Sequence, residues 1–414
     1  MNTDKPQAIG EPILARDFDP AFSRALTDDD DLRKLYTCLT CGGCSSGCPL
    51  SQEGREYSPR TMARLLVLGM KEEAIASNFV YQCTMCSRCT QGCPMGIEID
   101  RLVRKLRGFR VERGAVFEGL QKTVDAHLMG RNNMEVTSED FSATCEWIAE
   151  ELRDELGDPN VTIPVNKKGA RVFYTLNPRE IKFAPLSLSA AAKIFYVAGE
   201  DWTLWSDYWD VTNYGYFSGD EEAARQIARW RAEAFRESGC QVLVSAECGH
   251  GFYQLSYGDE LWLGKKRDYP VLAFTEVVAD YLQTGRLRLD PSVNAKPTTF
   301  HDPCHLVRKG GVVEAPRICL RAAVSDFREM EPHGVHNFCC GGGGGTLASA
   351  ETAKARIAAG AIKAEQIQAT GATLVATTCH NCLDQLADIK KHYKLPIDIK
   401  LVGELVADAI VLSR

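Results

Sequence analysis

The chain holds 17 cysteines, and most of them fall in short, repeated spacings. Residues 38 to 49 read CLTCGGCSSGCP and residues 83 to 94 read CTMCSRCTQGCP, so C-x2-C-x2-C-x3-C-P occurs twice. This spacing is the bacterial-type ligand run for 4Fe-4S clusters. Three thiolates on one tight turn reach three irons of a cube, and the fourth cysteine of each run ligates the other cluster. One cubane is therefore expected on Cys38, Cys41, Cys44 and Cys93, and the other on Cys83, Cys86, Cys89 and Cys48. Zinc sites pair two C-x-x-C units instead of using a triplet and a spaced fourth thiol.

Further cysteines stand in the C-terminal half: Cys304 in FHDPCHLVRKGG, Cys339 and Cys340 in FCCGGGGGT, and Cys379 and Cys382 in TTCHNC. The glycine run is not a phosphate loop, because Thr346-Leu347-Ala348 supplies no lysine after the last glycine. Taken alone, Cys379-His-Asn-Cys382 also reads as a thioredoxin-like dithiol or as half of a four-cysteine zinc site. The dithiol reading leaves Cys304, Cys339 and Cys340 unexplained.

The elements that must position these thiols are legible from composition and period. A chain of 414 residues, 45% apolar and with net charge -7, has room for two or three domains. That acidity argues against nucleic acid, which selects a clustered basic face. The first residues, MNTDKPQAIGEPILARDF, lack the basic and apolar regions of a signal peptide, and no apolar run reaches membrane-helix length. The thiols are accordingly read as reduced metal ligands in a cytoplasmic setting. Residues 1–30 read as an N-terminal extension, with the acidic run Asp28 to Asp31 leading into a helix.

Residues 31–110 read as a two-cluster ferredoxin domain of the α-helical kind. Between its runs lies SPRTMARLLVLGMKEEAIASN, a helical insert with Ser58 as N-cap, Pro59 at the first helical position, and Met62, Leu65, Leu66 and Met70 on one apolar face. A further helix begins near Asp100. Residues 111–165 read as a helical connection in which Cys145 is a small buried hydrophobe.

Residues 166–290 and 291–414 are two copies of one α/β unit. EEAARQIARWRAEAFRESGCQVLVSAECGHG (221 to 251) parallels AETAKARIAAGAIKAEQIQATGATLVATTCHNC (350 to 382), each a helix, a turn and a strand ending at a cysteine. VTNYGYFSG (211 to 219) matches VHNFCCGGG (335 to 343), FYTLNP (173 to 178) matches TTFHDP (298 to 303), and EVVAD matches ELVAD. Where the second copy has Cys304, Cys339, Cys340, Cys379 and Cys382, the first has Arg179, Gly215, Tyr216, Cys248 and Gly251. The first copy cannot hold a metal cluster by itself.

The landmarks FHDPCHLVRKGG, NFCCGGGGG and TTCHNC resemble the cysteine-rich CCG domain of heterodisulfide reductases and their relatives. The order, a two-cluster helical ferredoxin and then two such domains, looks like the fused catalytic subunit of that family from about residue 32 onward. The pairing with a degenerate copy is similar to the catalytic iron-sulfur subunit of sulfate-reducer membrane redox complexes and to the subunit attached to tungsten-type benzoyl-CoA reductase. The resemblance implies an α-helical ferredoxin domain followed by two pseudo-symmetric α/β CCG domains. It implies two 4Fe-4S cubane clusters and one noncubane 4Fe-4S cluster, the latter on Cys304, Cys339, Cys340, Cys379 and Cys382. It further implies oxidoreductase chemistry at a disulfide or related sulfur substrate, with a purely electron-relaying subunit as the rival reading. The expected partners are a flavin, haem, quinone-linked or ferredoxin redox subunit and a sulfur-carrier protein or small disulfide, in a hetero-oligomeric complex at the inner face of a membrane. Heterodisulfide reductase proper uses two noncubane clusters; this chain supplies ligands for one.

The adjacent thiols of FCCGGGGGT would then clasp neighbouring irons of one fused cluster. The glycines would let the backbone close in as a nest of N–H groups. Cys248 and His250 are the expected catalytic candidates: if the two copies pack about a pseudo-two-fold axis, AECGHG would face the Cys379 loop, with His250 donating a proton to a leaving thiolate, the alternative being that both are vestiges satisfied by local hydrogen bonds. Cys240 and Cys319 read as packing residues, and His301 and His305 as flanks of Cys304. Arg88 reads as a solvent-exposed side chain whose charge could raise a cluster's potential.

Overall fold

The computed structural model describes residues 14–27, 32–54 and 57–412. The acidic run at 28–31 and most of the expected N-terminal extension lie outside them.

Each cysteine run of the ferredoxin part closes on a one-turn helix, Gly43–Ser46 in the first and Arg88–Gln91 in the second. Left-handed backbone at Thr40 (φ 56°), Gly42 (φ 91°), Met85 (φ 53°) and Ser87 (φ 59°) curls each run inward. The insert starts as expected: the Ser58 hydroxyl accepts the Thr61 N–H and Pro59 opens the helix Pro59–Leu68. It does not continue as one helix. Gly69 takes φ +73°, and a Cβ on it would stand 2.4 Å from the Asp19 carbonyl oxygen, so the chain turns there and resumes at Lys71–Ala76. Met70 is buried as the residue before that second helix, not on the face of the first. Ile99–Glu112 follows, and the helices Glu118–Gly130 and Ser138–Leu156 form the connection, with Cys145 buried in the second.

Two four-stranded parallel sheets come next. The first holds β1 (Val172–Thr175), β2 (Trp202–Thr203), β3 (Val242–Ser245) and β4 (Val271–Ala273) in the order β2-β1-β3-β4. The second holds β5 (Thr298–His301), β6 (Phe327–Arg328), β7 (Leu374–Thr377) and β8 (Asp398–Leu401) in the order β6-β5-β7-β8. The strand order is thus the same in both. The central pairs have the same register, Val172 opposite Val242 and Thr298 opposite Leu374. The central strands β1, β3, β5 and β7 are buried along their whole length, as parallel strands covered on both faces must be.

The two sheets share one apolar core, in which Val172, Phe195 and Phe274 belong with Phe300, Leu320 and Leu405. A second core joins the ferredoxin helices to the first α/β unit through Leu102, Leu106, Tyr214, Phe217 and Trp262. Arg107 crosses all three units. Its side chain is fully buried and donates to the carbonyls of Val80 (2.8 Å), Cys83 (2.7 Å), Phe217 (2.5 Å) and Gly344 (2.8 Å).

Candidate functional site

Left-handed turns and one-turn helices bring the eight ferredoxin cysteines to two cavities. Cys38, Cys41, Cys44 and Cys93 line one, together with Leu39 and Ile99. Cys48, Cys83, Cys86 and Cys89 line the other, with Asp100 and Cys339 in its wall. Each cavity therefore takes three thiols from one run and the fourth from the other. All 17 cysteines are free thiols. Burial pushes the Cys83 and Cys89 thiols up, and neighbouring sulfurs add to the shift. Burial likewise pushes Cys48 up to about 12, with Cys86 adding to it. Four clustered sulfurs, Cys83 and Cys89 buried and Cys48 and Cys86 half-buried, become thiolates together around a cation, so the donor set fits a metal cluster.

The five C-terminal cysteines come from three places in the second sheet. Cys304 follows β5, Cys339 and Cys340 lie on the loop after β6, and Cys379 caps the helix His380–Tyr393 after β7 with Cys382 on its first turn. All five are buried. The Cys340 and Cys382 sulfurs are 3.6 Å apart. Two thiolates on one tetrahedral ion stand at about that separation when each bond is ~2.3 Å. The Cys339 sulfur neighbours Cys304 and Cys340, stands 3.5 Å from Thr84 Oγ1 of the ferredoxin part, and lines the same cavity as Cys86. The hydrogen bond from Cys382 holds Cys379 down to about 6. These five sulfurs, too, fit a metal cluster.

The glycine run does something other than form a five-residue nest. Gly341 N–H donates to Cys339 Sγ (3.3 Å), as a nest would. A Cβ on Gly343 would stand 2.8 Å from the Thr84 carbonyl oxygen, and one on Gly344 2.5 Å from that of Cys83. The later glycines therefore let the second ferredoxin run lie against the cysteine pair. In the first copy Tyr214–Ser218 forms a short helix at the matching place.

Arg88 is not a free surface charge. Its guanidinium stacks on Phe338 at 3.9 Å, and it donates to Gly47 O (3.1 Å), Asn337 O (3.1 Å) and His336 O. Its planar fork ties both cysteine runs to the loop that carries Cys339. Two residues with no spacing signal do similar work. Arg308 joins Cys86 O (2.7 Å) to Val335 O (2.7 Å) and Asn337 O, and Gln385 donates to Cys340 O (2.9 Å). His305 donates from Nε2 to Met85 O (2.9 Å) while its ring stacks on Phe217. Cys240 and Cys319 are buried packing residues.

Cys248 caps the helix Gly249–Leu263 as Cys379 caps its own, and the two loops meet. His380 N–H donates to Glu247 O at 3.1 Å. Cys248 Sγ lies 3.6 Å from His250 Nδ1 and 3.5 Å from Asn177 Nδ2. Asn381 Nδ2 stands 3.4 Å from the same His250 nitrogen, which leaves Nε2 to carry the ring proton. That Nε2 is buried and without a hydrogen-bond partner among the described residues. Burial and the nearby His305 and Arg179 hold His250 well below its ordinary value, so the ring is neutral.

Residues 34–97 match the family model for the 4Fe-4S dicluster domain, and residues 298–387 match that for the cysteine-rich domain. Over 194 residues, 47% of this chain and 46% of the relative, it is 31% identical to one of the subunits of the "Dihydromethanophenazine:CoB--CoM heterodisulfide reductase" of Methanosarcina barkeri. It is 26% identical over 308 residues to the "Hdr-like menaquinol oxidoreductase iron-sulfur subunit 2" of Archaeoglobus fulgidus, across 64% of this chain and 55% of that one. The chain is a heterodisulfide reductase-like iron-sulfur protein. It is also 27% identical over 410 residues to a "Probable membrane-anchored ferredoxin" of Chromohalobacter salexigens, covering 90% of this chain and 59% of that one. The chain thus spans about half the length of the curated relatives it matches. No helix among the described residues of this heterodisulfide reductase-like chain is long and apolar enough to cross a membrane.

Proposed function

We propose that the chain is an electron-transfer oxidoreductase subunit that couples single-electron carriers to a two-electron change at a sulfur substrate, a disulfide or its thiols. Cys38, Cys41, Cys44 and Cys93 would hold one cubane, Cys83, Cys86, Cys89 and Cys48 the second, and Cys304, Cys339, Cys340, Cys379 and Cys382 a noncubane cluster. Bound there, these groups supply one-electron storage in the ferredoxin part and stabilisation of an odd-electron sulfur at the five-cysteine site. The observation that carries the reading is that Cys339 of the five-cysteine site shares the wall of the second ferredoxin cavity with Cys86.

The chain's own residues divide the remaining work. Arg88, Arg308 and the glycine run hold the two thiol groups together and keep water from between them. The first cavity faces outward, with Cys41 exposed and Leu39 71% exposed, and is where a flavin, haem, quinone-linked or ferredoxin partner would dock. His250 would present its Nε2 proton to a leaving thiolate, and Cys248, in contact with Nδ1, would hold the ring in that tautomer. Cys248→Ala and His250→Ala proteins that keep both iron and turnover would sink this assignment. The setting is proposed as cytoplasmic, with attachment to a membrane complex through the partner.

A relay subunit is the second reading, favoured by the burial of all five C-terminal cysteines. Adding a substrate thiol to the oxidised protein separates the two. A new paramagnetic signal from the five-cysteine centre supports sulfur chemistry, and an unchanged spectrum supports the relay.

A further inference from the structure

His301 ends β5 and is 1% exposed, yet neither of its ring nitrogens has a hydrogen-bond partner among the described residues. Buried polar atoms are almost always paired, so two unpaired nitrogens on one ring ask for an explanation. Other buried histidines differ. His127 Nε2 meets the Tyr208 hydroxyl (3.0 Å), His305 Nε2 the Met85 carbonyl (2.9 Å), and His250 Nδ1 the Asn381 amide (3.4 Å).

The surroundings of the ring suit a metal ligand. A ring nitrogen of His301 and the sulfurs of Cys340 and Cys382 all lie within 4.8 Å of one another, and the two sulfurs are 3.6 Å apart. An imidazole at ~2.0–2.1 Å and two thiolates at ~2.3 Å from one tetrahedral ion span such separations. The ring is also fixed in place. The strand pairs His301 with Thr377, whose hydroxyl donates to the His301 carbonyl (3.3 Å), and β7 leads directly to Cys379.

We propose that His301 is a nitrogen ligand to the metal ion held by Cys340 and Cys382, so that one position of the five-cysteine centre has mixed sulfur and nitrogen coordination. The inference rests on the cluster reading above. Its consequence is electronic. A neutral imidazole on an iron that would otherwise take another thiolate removes a negative charge and raises the reduction potential, as histidine ligation does in other iron-sulfur centres. Lys363 acts in the same direction: it is wholly buried, with Nζ 3.6 Å from Met330 Sδ, and lies within electrostatic reach of Cys340 and Cys382.

The test is pulsed EPR on the intact, iron-loaded protein, poised where the five-cysteine centre is paramagnetic, with and without 15N-histidine labelling. A strong nitrogen coupling that changes on labelling of the wild-type protein is expected. It should be lost in His301→Gln and kept in His305→Gln. A paramagnetic five-cysteine centre without histidine coupling, or a coupling that survives His301→Gln, overturns the ligand assignment and leaves the cluster reading standing. Wild-type protein with about eight irons per chain, enough for two four-iron clusters only, overturns both.

Discussion

Gly344 carries φ +65°, and any Cβ on it would press on the Cys83 carbonyl. Gly344→Ala is therefore expected to cost about 1–3 kcal/mol through backbone strain and overpacking. It should also push the Cys83–Thr84 turn away from Cys339. Thermal unfolding checks the first effect, and the rate of electron exchange between the ferredoxin part and the five-cysteine site checks the second. An alanine variant with wild-type values for both would contradict the close-approach role. Arg88→Lys is expected to behave like Arg88→Ala in unfolding and iron retention, because an ammonium reproduces neither the stack on Phe338 nor the fork across Gly47 and Asn337. Full rescue by lysine would count against that role. At this scale the thiols are the most legible part of the sequence, because metal-ligand geometry restricts spacing. Arg88 is not, because a charged residue in a cysteine run carries no signal of what folds over it. Nor are the later glycines, whose partner, the Thr84 carbonyl, is distant in sequence.

Among elements, the helix Ile99–Glu112 is legible in its start, but Arg107 is not distinguishable from the half-buried Arg104, Lys105 and Arg110 beside it. Four carbonyls from three units converge on that guanidinium. Arg107→Met would leave them buried and unpaired, and is expected to destabilise the protein by about 3–5 kcal/mol. A urea midpoint close to wild type would argue against it.

The connecting helix Glu118–Gly130 carries a second buried polar group. His127 Nε2 bonds to Tyr208 and its Nδ1 is 3.6 Å from Asp210, which also accepts the N–H groups of Asn133 and Thr212. Burial, with Arg231 nearby, holds His127 down to about 3, and burial pushes Asp210 up to about 7. His127 thus contributes stability that is complete above its ordinary value near 6.5 and is lost as the pH falls toward 3. Asp210 contributes stability present below its ordinary value near 3.8 and lost as the pH rises through 7. The two oppose each other from about pH 4 to 6.5. Asp210→Asn removes the falling arm, so the variant's unfolding free energy should climb more steeply with pH across that window than the wild type's. Parallel profiles would contradict the assignment.

As a whole molecule, the chain sets a two-cavity ferredoxin part against two sheets of identical strand order. The repeat is visible in the sequence because helix, turn, strand and terminal cysteine recur in step. The shared core of the two sheets is not, since apolar residues on the outer faces of helices look the same whether they meet solvent-side neighbours or a second copy. Loaded protein is expected to contain about twelve irons and twelve sulfides per chain, as three four-iron clusters require, and Cys304→Ser should bring the count down to about eight. A count that stays near twelve in that variant would remove Cys304 from the ligand set.

The central claim is that electrons pass between the ferredoxin part and the five-cysteine site where Cys339 enters the wall of the cavity lined by Cys86. Freeze-quench EPR of the loaded protein, mixed anaerobically with a one-electron donor, tests it most directly. The account predicts reduced-cubane signals that appear first and then decline as the five-cysteine centre changes its redox state, with the second phase slowed in Gly344→Ala. Cubane signals that persist while the five-cysteine centre stays unchanged would contradict it.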